Sequence, residues 1–143
     1  MQAVVDANVW LSAASSREPG HAHSVRFLRE AMARRVAFLL PVLVLPEVAG
    51  TAARRTQDSA DGIAMIEQLL RLPNTRFFDL TIARAQAAAQ LASQLFLRGA
   101  DAQYVALAAE HRAPLVTLDR ELRARSVAQF DSLTPEEWVA RFA

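Results

Sequence analysis

The chain has 143 residues, 16 basic and 15 acidic side chains, a formal net charge of +1, 52% hydrophobic content and no cysteine. Length and composition fit one domain over residues 1–143, with enough chain to bury a core without disulfides or structural zinc. Every basic residue is arginine. Without lysine there is no P-loop, no protein-kinase machinery and no Schiff-base catalysis, and without cysteine no thiol nucleophile, c-type haem attachment or iron–sulfur ligation. Met1 to Leu11 lacks a basic leader region, and the longest apolar run, Val36 to Pro46, is far short of the ~20 residues that span a bilayer. A cytoplasmic protein with no membrane association is the expectation.

Ala3-Val4-Val5 is a short apolar run ending at Asp6, the pattern of a buried strand that presents a carboxylate at its C-terminal end. Turn formers crowd Ser15 to Gly20, and from Ala22 the spacing of Val25, Leu28 and Met32 predicts a helix to Arg35. Val36 to Leu40 reads as a second buried strand stopped by Pro41. A helix over about Val42 to Arg55 follows, starting tightly around Pro46 and carrying Glu47. Asp58 to Asp61 offers caps for a short helix through Leu70, closed by Pro73-Asn74, and Arg76 to Leu80 reads as a strand. Thr81 caps an alanine-rich helix to Arg98, which Gly99 ends in the left-handed position, and Ala100 to His111 is helical again. Pro114 to Thr117 is a buried strand, Leu118 to Arg125 a short helix, and Val127 to Leu133 a last strand before a helix opening at Thr134-Pro135-Glu136-Glu137. This alternation predicts an α/β fold: a mostly parallel sheet, helices on both faces, and ligands at the carboxyl ends of the strands.

Four carboxylates fall on that rim. Asp6 ends the first strand, Glu47 lies early in the helix after the second, Asp101 opens the helix after Gly99, and Asp119 follows the strand ending at Thr117. Taken singly, Asp101 and Asp119 suit helix caps and Asp6 a turn, whereas Glu47 among Val44, Leu45, Val48 and Ala49 is costly without a partner. Together they point to a site. Clustered carboxylates repel and raise one another's pKa unless a cation neutralises them, and oxygen-only ligands suit a hard ion such as Mg²⁺ or Mn²⁺. The chemistry implied is hydrolysis of a phosphodiester by an activated water.

The segments Val4-Val5-Asp6-Ala7-Asn8-Val9-Trp10-Leu11, Leu40-Pro41-Val42-Leu43-Val44-Leu45-Pro46-Glu47-Val48, Arg98 to Ala108 (RGADAQYVALA) and Pro114-Leu115-Val116-Thr117-Leu118-Asp119-Arg120 resemble the successive signatures of PIN-domain ribonucleases. In order and length they are similar to the VapC-type toxins of bacterial toxin–antitoxin pairs. The resemblance spans the chain as far as Leu133-Thr134-Pro135-Glu136-Glu137-Trp138. It implies a three-layer α/β/α sandwich with a five-stranded sheet, Mg²⁺- or Mn²⁺-dependent endoribonuclease activity, and a homodimer. It also implies a cognate antitoxin whose tail occupies the acidic groove with an arginine among the carboxylates. By position, Asp6, Glu47, Asp101 and Asp119 match the family's acidic quartet, with Asp6 and Asp101 as direct metal ligands. Asn8 and Thr117 match polar positions beside it, which hydrogen-bond to a carboxylate or to water on the metal. The loop from Ser15 to His23 has no counterpart in the pattern.

Other residues carry less. His21-Ala22-His23 lacks a third ligand nearby and reads as solvated, and His111 as helix-end decoration. Arg26, Arg29, Arg34, Arg35, Arg54 and Arg55 suit RNA phosphates collectively and solvated helix faces individually. Trp10 and Tyr104 lie in apolar runs and read as core or dimer packing. The expected substrate is structured RNA cut at an unpaired segment, where bases are accessible, leaving a 5′-phosphate and a 3′-hydroxyl. Two rivals stand beside this reading. A Mg²⁺-dependent phosphatase or phosphoacceptor domain is disfavoured by Asp6-Ala7-Asn8 and the absent lysine. A non-catalytic, metal-containing RNA- or protein-binding domain is disfavoured by the intact carboxylates.

Overall fold

A computed structural model describes residues 1–126 and 130–143. Five strands form one sheet: β1 (Gln2–Val5), β2 (Ala37–Pro41), β3 (Thr75–Phe78), β4 (Leu115–Val116) and β5 (Ser132–Leu133). The order across the sheet is β3-β2-β1-β4-β5 and every pairing is parallel. The central strands β1, β2 and β4 are buried apolar runs, Gln2 apart, because helices cover both faces, whereas the edge strands β3 and β5 are only partly buried. The eight helices among the described residues are α1 (Ala7–Ala14), α2 (His21–Ala33), α3 (Val44–Thr56), α4 (Ser59–Arg71), α5 (Ile82–Leu95), α6 (Gly99–His111), α7 (Arg120–Ser126) and α8 (Pro135–Phe142).

Alternation along β2 divides the core. Phe38 turns towards α1 and α2, meeting Trp10 edge-on at 5.4 Å between ring centres and Phe27 at 6.4 Å, and Phe27 continues to Trp138 of α8 at 5.0 Å. Helix α6 lies along β1, β2 and β4, with α5 packed beside it. No helix among the described residues is long and apolar enough to cross a membrane.

Several sequence expectations change in detail. Helix α1 was not anticipated: Ala7, Val9, Trp10, Leu11 and Ser12 are all buried, so the segment lacks the polar face that gives a surface helix its periodicity. Pro41 is the last residue of β2, opposite Phe78, rather than the residue that stops it, and the helix after it begins at Val44; Val42 N carries the ladder on to Phe78 O at 3.0 Å. Pro46 falls in the first turn of α3, where a missing N–H costs nothing. The α5 helix stops at Leu95, and Phe96, not Gly99, takes the left-handed position with φ 56°; Gly99 begins α6. The last strand is two residues, Ser132–Leu133, and Val127 to Gln129 of the longer prediction lie outside the described residues. Caps at Asp58 and Thr81 and the capping box at Thr134 and Glu137 form as their spacing implied.

Candidate active site

The sheet order reverses direction between β1 and β4, which opens a crevice outside their carboxyl ends. Val5 and Val116 are register partners, so Asp6 and Thr117, the next residues along, emerge side by side. Thr117 Oγ1 donates to Asp6 Oδ2 at 2.6 Å, and Asn8 Nδ2 donates to the same oxygen at 3.0 Å and to Thr117 Oγ1 at 3.2 Å. Asn8 Oδ1 accepts from Leu118 N at 3.1 Å, tying the start of α1 to the segment after β4. Asp6 stands at the N-cap position of α1 without capping it, because its carboxylate is turned to this network instead.

Three helix N-termini bring in the other acids. Glu47 sits in the first turn of α3 and Asp101 in the first turn of α6, positions where the helix dipole favours negative charge. Tyr104, one turn further along α6 and fully buried, donates its hydroxyl to Glu47 Oε1 at 2.9 Å. Asp119 caps α7: its Oδ1 accepts from Glu121 N at 2.9 Å and Leu122 N at 3.0 Å. Its Oδ2 faces Arg98, whose Nη2 is 3.6 Å away while its Nε is 3.3 Å from Asp101 Oδ2. One guanidinium thus bridges two of the four acids.

The protonation equilibria record the crowding. Burial raises the Asp6 pKa to about 7; the Thr117 hydrogen bond opposes this, and the charges of Glu47 and Asp101 add to it. Glu47 is raised by burial and by Asp101, against the pull of the Tyr104 hydroxyl. Asp101 is raised by burial, lowered by Arg98, and raised again by Asp119 and Glu121. The four carboxylates therefore form one electrostatically linked group. Among the described residues no three His, Asp or Glu side chains close into a cage that could hold a metal ion alone.

All four predicted acids and both polar neighbours meet here. Two participants were missed. Tyr104 was read as packing, and it is core, but its hydroxyl is spent on Glu47; the apolar run around it hid that. Arg98 stands in the sequence as a helix end and the first residue of the third PIN-like segment, with no role at the site assigned to it. The histidines go elsewhere: His21 Nδ1 lies 3.0 Å from Ser12 O, His23 is 3.9 Å from Glu136, and His111 meets Phe78 at 4.7 Å with the rings tilted by 59°. Trp10 is buried in the core as expected.

Comparison with curated proteins finds no match. Among solved structures, the fold is similar to VapC20 of Mycobacterium tuberculosis, a sarcin–ricin-loop-cleaving toxin (TM-score 0.74, 17% identity, 93% of this chain and 99% of that one). It is similar also to FitAcB from Neisseria gonorrhoeae (0.70, 19%, 93% and 97%) and to a toxin–antitoxin complex from Klebsiella pneumoniae (0.62, 20%, 94% and 98%). The sequence matches the family model of the PIN domain over residues 3–127, and the five-stranded parallel sheet agrees with that match: the chain belongs to the PIN-domain family.

Proposed function

We propose that this protein is a Mg²⁺- or Mn²⁺-dependent endoribonuclease and the toxin half of a VapC-type toxin–antitoxin pair. The observation that carries the reading is the convergence of Asp6, Glu47, Asp101 and Asp119 at one rim, with burial and mutual repulsion raising three of them. An all-oxygen set with surplus negative charge fits a hard cation. Magnesium binds through one or two carboxylates, keeps several waters and shares substrate phosphate oxygens. Asp6 and Asp101 would hold the ion directly, with Glu47 and Asp119 completing the acidic ring. When bound, the ion supplies charge neutralisation at the phosphate and a lowered pKa for the attacking water.

The chain's own groups prepare that step. Asn8 and Thr117 place both of their donors on Asp6 Oδ2, which fixes the carboxylate and favours its ionised form. Tyr104 fixes Glu47 through Oε1, leaving Oε2 to take a proton from water, and a raised carboxylate pKa suits a general base near neutral pH. The products are a 5′-phosphate and a 3′-hydroxyl. That VapC20 is a sarcin–ricin-loop-cleaving toxin supports structured RNA, cut at an unpaired segment, as the substrate class. The complexes among the solved relatives support an antitoxin partner. A second copy of the chain has a face to use, where exposed Leu80 and Ile82 adjoin an apolar cavity of about 570 Å³ between α5 and α6.

The test is cleavage of total cellular RNA with Mg²⁺ or Mn²⁺ against EDTA, beside Asp101→Asn. Discrete fragments with 5′-phosphate ends that vanish in EDTA and in the variant support the reading. No fragments, or fragments with cyclic phosphate ends formed in EDTA, refute it.

A further inference from the structure

We infer that the Phe96–Arg98 segment is an RNA subsite on the rim of the acidic centre, where Phe96 stacks on an unpaired base and Arg98 takes up an adjoining phosphate. The inference rests on the nuclease reading above and names how that site grips its substrate. Phe96 is 78% exposed whereas Phe27, Phe38 and Trp138 are buried in the core, and it occupies a left-handed backbone position, φ 56°, where glycine or asparagine is the ordinary choice. Folding gives no reason for phenylalanine there. Its carbonyl is held by the Arg125 guanidinium, which anchors the residue beside α7. The small cleft lined by Phe96, Arg98, Asp101, Asp119, Glu121 and Arg125 places the phenylalanine beside two of the four carboxylates, with Arg125 paired to Glu121.

Arg98 gives the cleft its second property. Its side chain is 77% exposed and reaches back over Asp101 and Asp119 at 3.3 and 3.6 Å. Exposed ion pairs of this kind contribute little and exchange readily. A cation bound at the acids would displace the guanidinium outwards, and a phosphate arriving with the RNA offers it a bidentate partner. An exposed aromatic ring beside an arginine is a combination that single-stranded nucleic acid recognises: stacking for the base, charge for the backbone.

The test is equilibrium binding by fluorescence anisotropy in Ca²⁺, using a ten-nucleotide oligoadenylate and a ten-residue abasic ribose-phosphate strand as probes, with strand integrity checked afterwards. Phe96→Ala is expected to weaken oligoadenylate binding roughly tenfold and leave the abasic strand unaffected, and Phe96→Trp to restore it. Arg98→Ala is expected to weaken both strands and to tighten Mn²⁺ binding measured by calorimetry, opposite signs that a merely structural role does not give. Equal binding of oligoadenylate by wild type and Phe96→Ala overturns the subsite, as does failure of the wild type to bind either strand. So does a fall in oligomeric mass on Phe96→Ala, which assigns the ring to a protein interface. Failure of the nuclease reading itself appears separately, as no metal-dependent cleavage of total RNA by the wild type.

Discussion

The hydroxyl of Thr117 donates to Asp6 Oδ2 at 2.6 Å across 111 positions of sequence. Thr117 is fully buried, and its oxygen also accepts from Asn8 Nδ2 and from Asp119 N at 3.1 Å, so its single proton is committed to the carboxylate. Thr117→Val keeps the shape and removes all three bonds. Mn²⁺ affinity, read by calorimetry, is expected to fall about tenfold or more, because Asp6 loses the donor that favours its ionised form and keeps it in place. Stability is expected to fall by about 1–3 kcal/mol, since Asp119 N loses its partner. Thr117→Ser retains both properties. Unchanged metal affinity in Thr117→Val removes the assigned role from the network.

The shifted carboxylates set a pH dependence whose sign follows from proton counting. With Asp6 raised from 3.8 to about 7, the folded, metal-free protein holds a proton there that the unfolded chain has already lost. Stability is then greatest below the ordinary carboxylate range and declines as pH rises towards 7, by up to about 4 kcal/mol for this group. Glu47 and Asp101 act in the same direction. Glu110, lowered by Arg84, and Glu137, lowered by the Thr134 backbone, act oppositely, adding stability above their unfolded pKa that is lost as pH falls. Both are exposed enough for solvent to weaken their effect. Metal-free protein should melt several degrees higher at pH 5 than at pH 8, and Asp6→Asn should flatten most of that difference. A flat wild-type profile contradicts the electrostatic account of the site.

Gly62 sits inside α4 where a Cβ would come 2.5 Å from the Ala49 carbonyl oxygen of α3. Helix propensity alone favours alanine there by up to about 1 kcal/mol. Backbone crowding outweighs it, because neither helix can yield without losing the contact that positions α3 and, at its start, Glu47. Gly62→Ala is expected to lower stability by about 1–3 kcal/mol in chemical denaturation, and a stabilising effect would show that the two helices are free to separate.

The strands and acids were legible because their signals are local: apolar runs such as Val36 to Leu40, each followed by a carboxylate at a strand end or in a first helical turn. Helix α1 was not, since burial on all sides removes amphipathic periodicity. Gly99 drew the helix end three residues too far, because glycine is the usual left-handed residue and Phe96 is an improbable one. The polar partners of the site were hidden for a different reason. Tyr104 acquires its role only when α6 meets the start of α3 at Glu47, and Arg98 its bridging one only when the start of α7 brings Asp119 alongside, although its i,i+3 pairing with Asp101 is a local signal.

Tyr104→Phe isolates the role given to Glu47. The ring is fully buried and stays so in phenylalanine, while Glu47 Oε1 loses a 2.9 Å hydrogen bond that holds its pKa down. The loss is expected to cost about 1–2 kcal/mol of stability and to push the Glu47 carboxyl higher. If Glu47 takes the proton from water, the acidic limb of the pH–rate profile for RNA cleavage moves to higher pH, with kcat reduced at neutral pH and recovered as the pH is raised. A metal-positioning role alone predicts something else: weaker Mn²⁺ binding with the limb in place. The two outcomes differ in a single titration, and an acidic limb that stays where the wild type has it excludes Glu47 as the base.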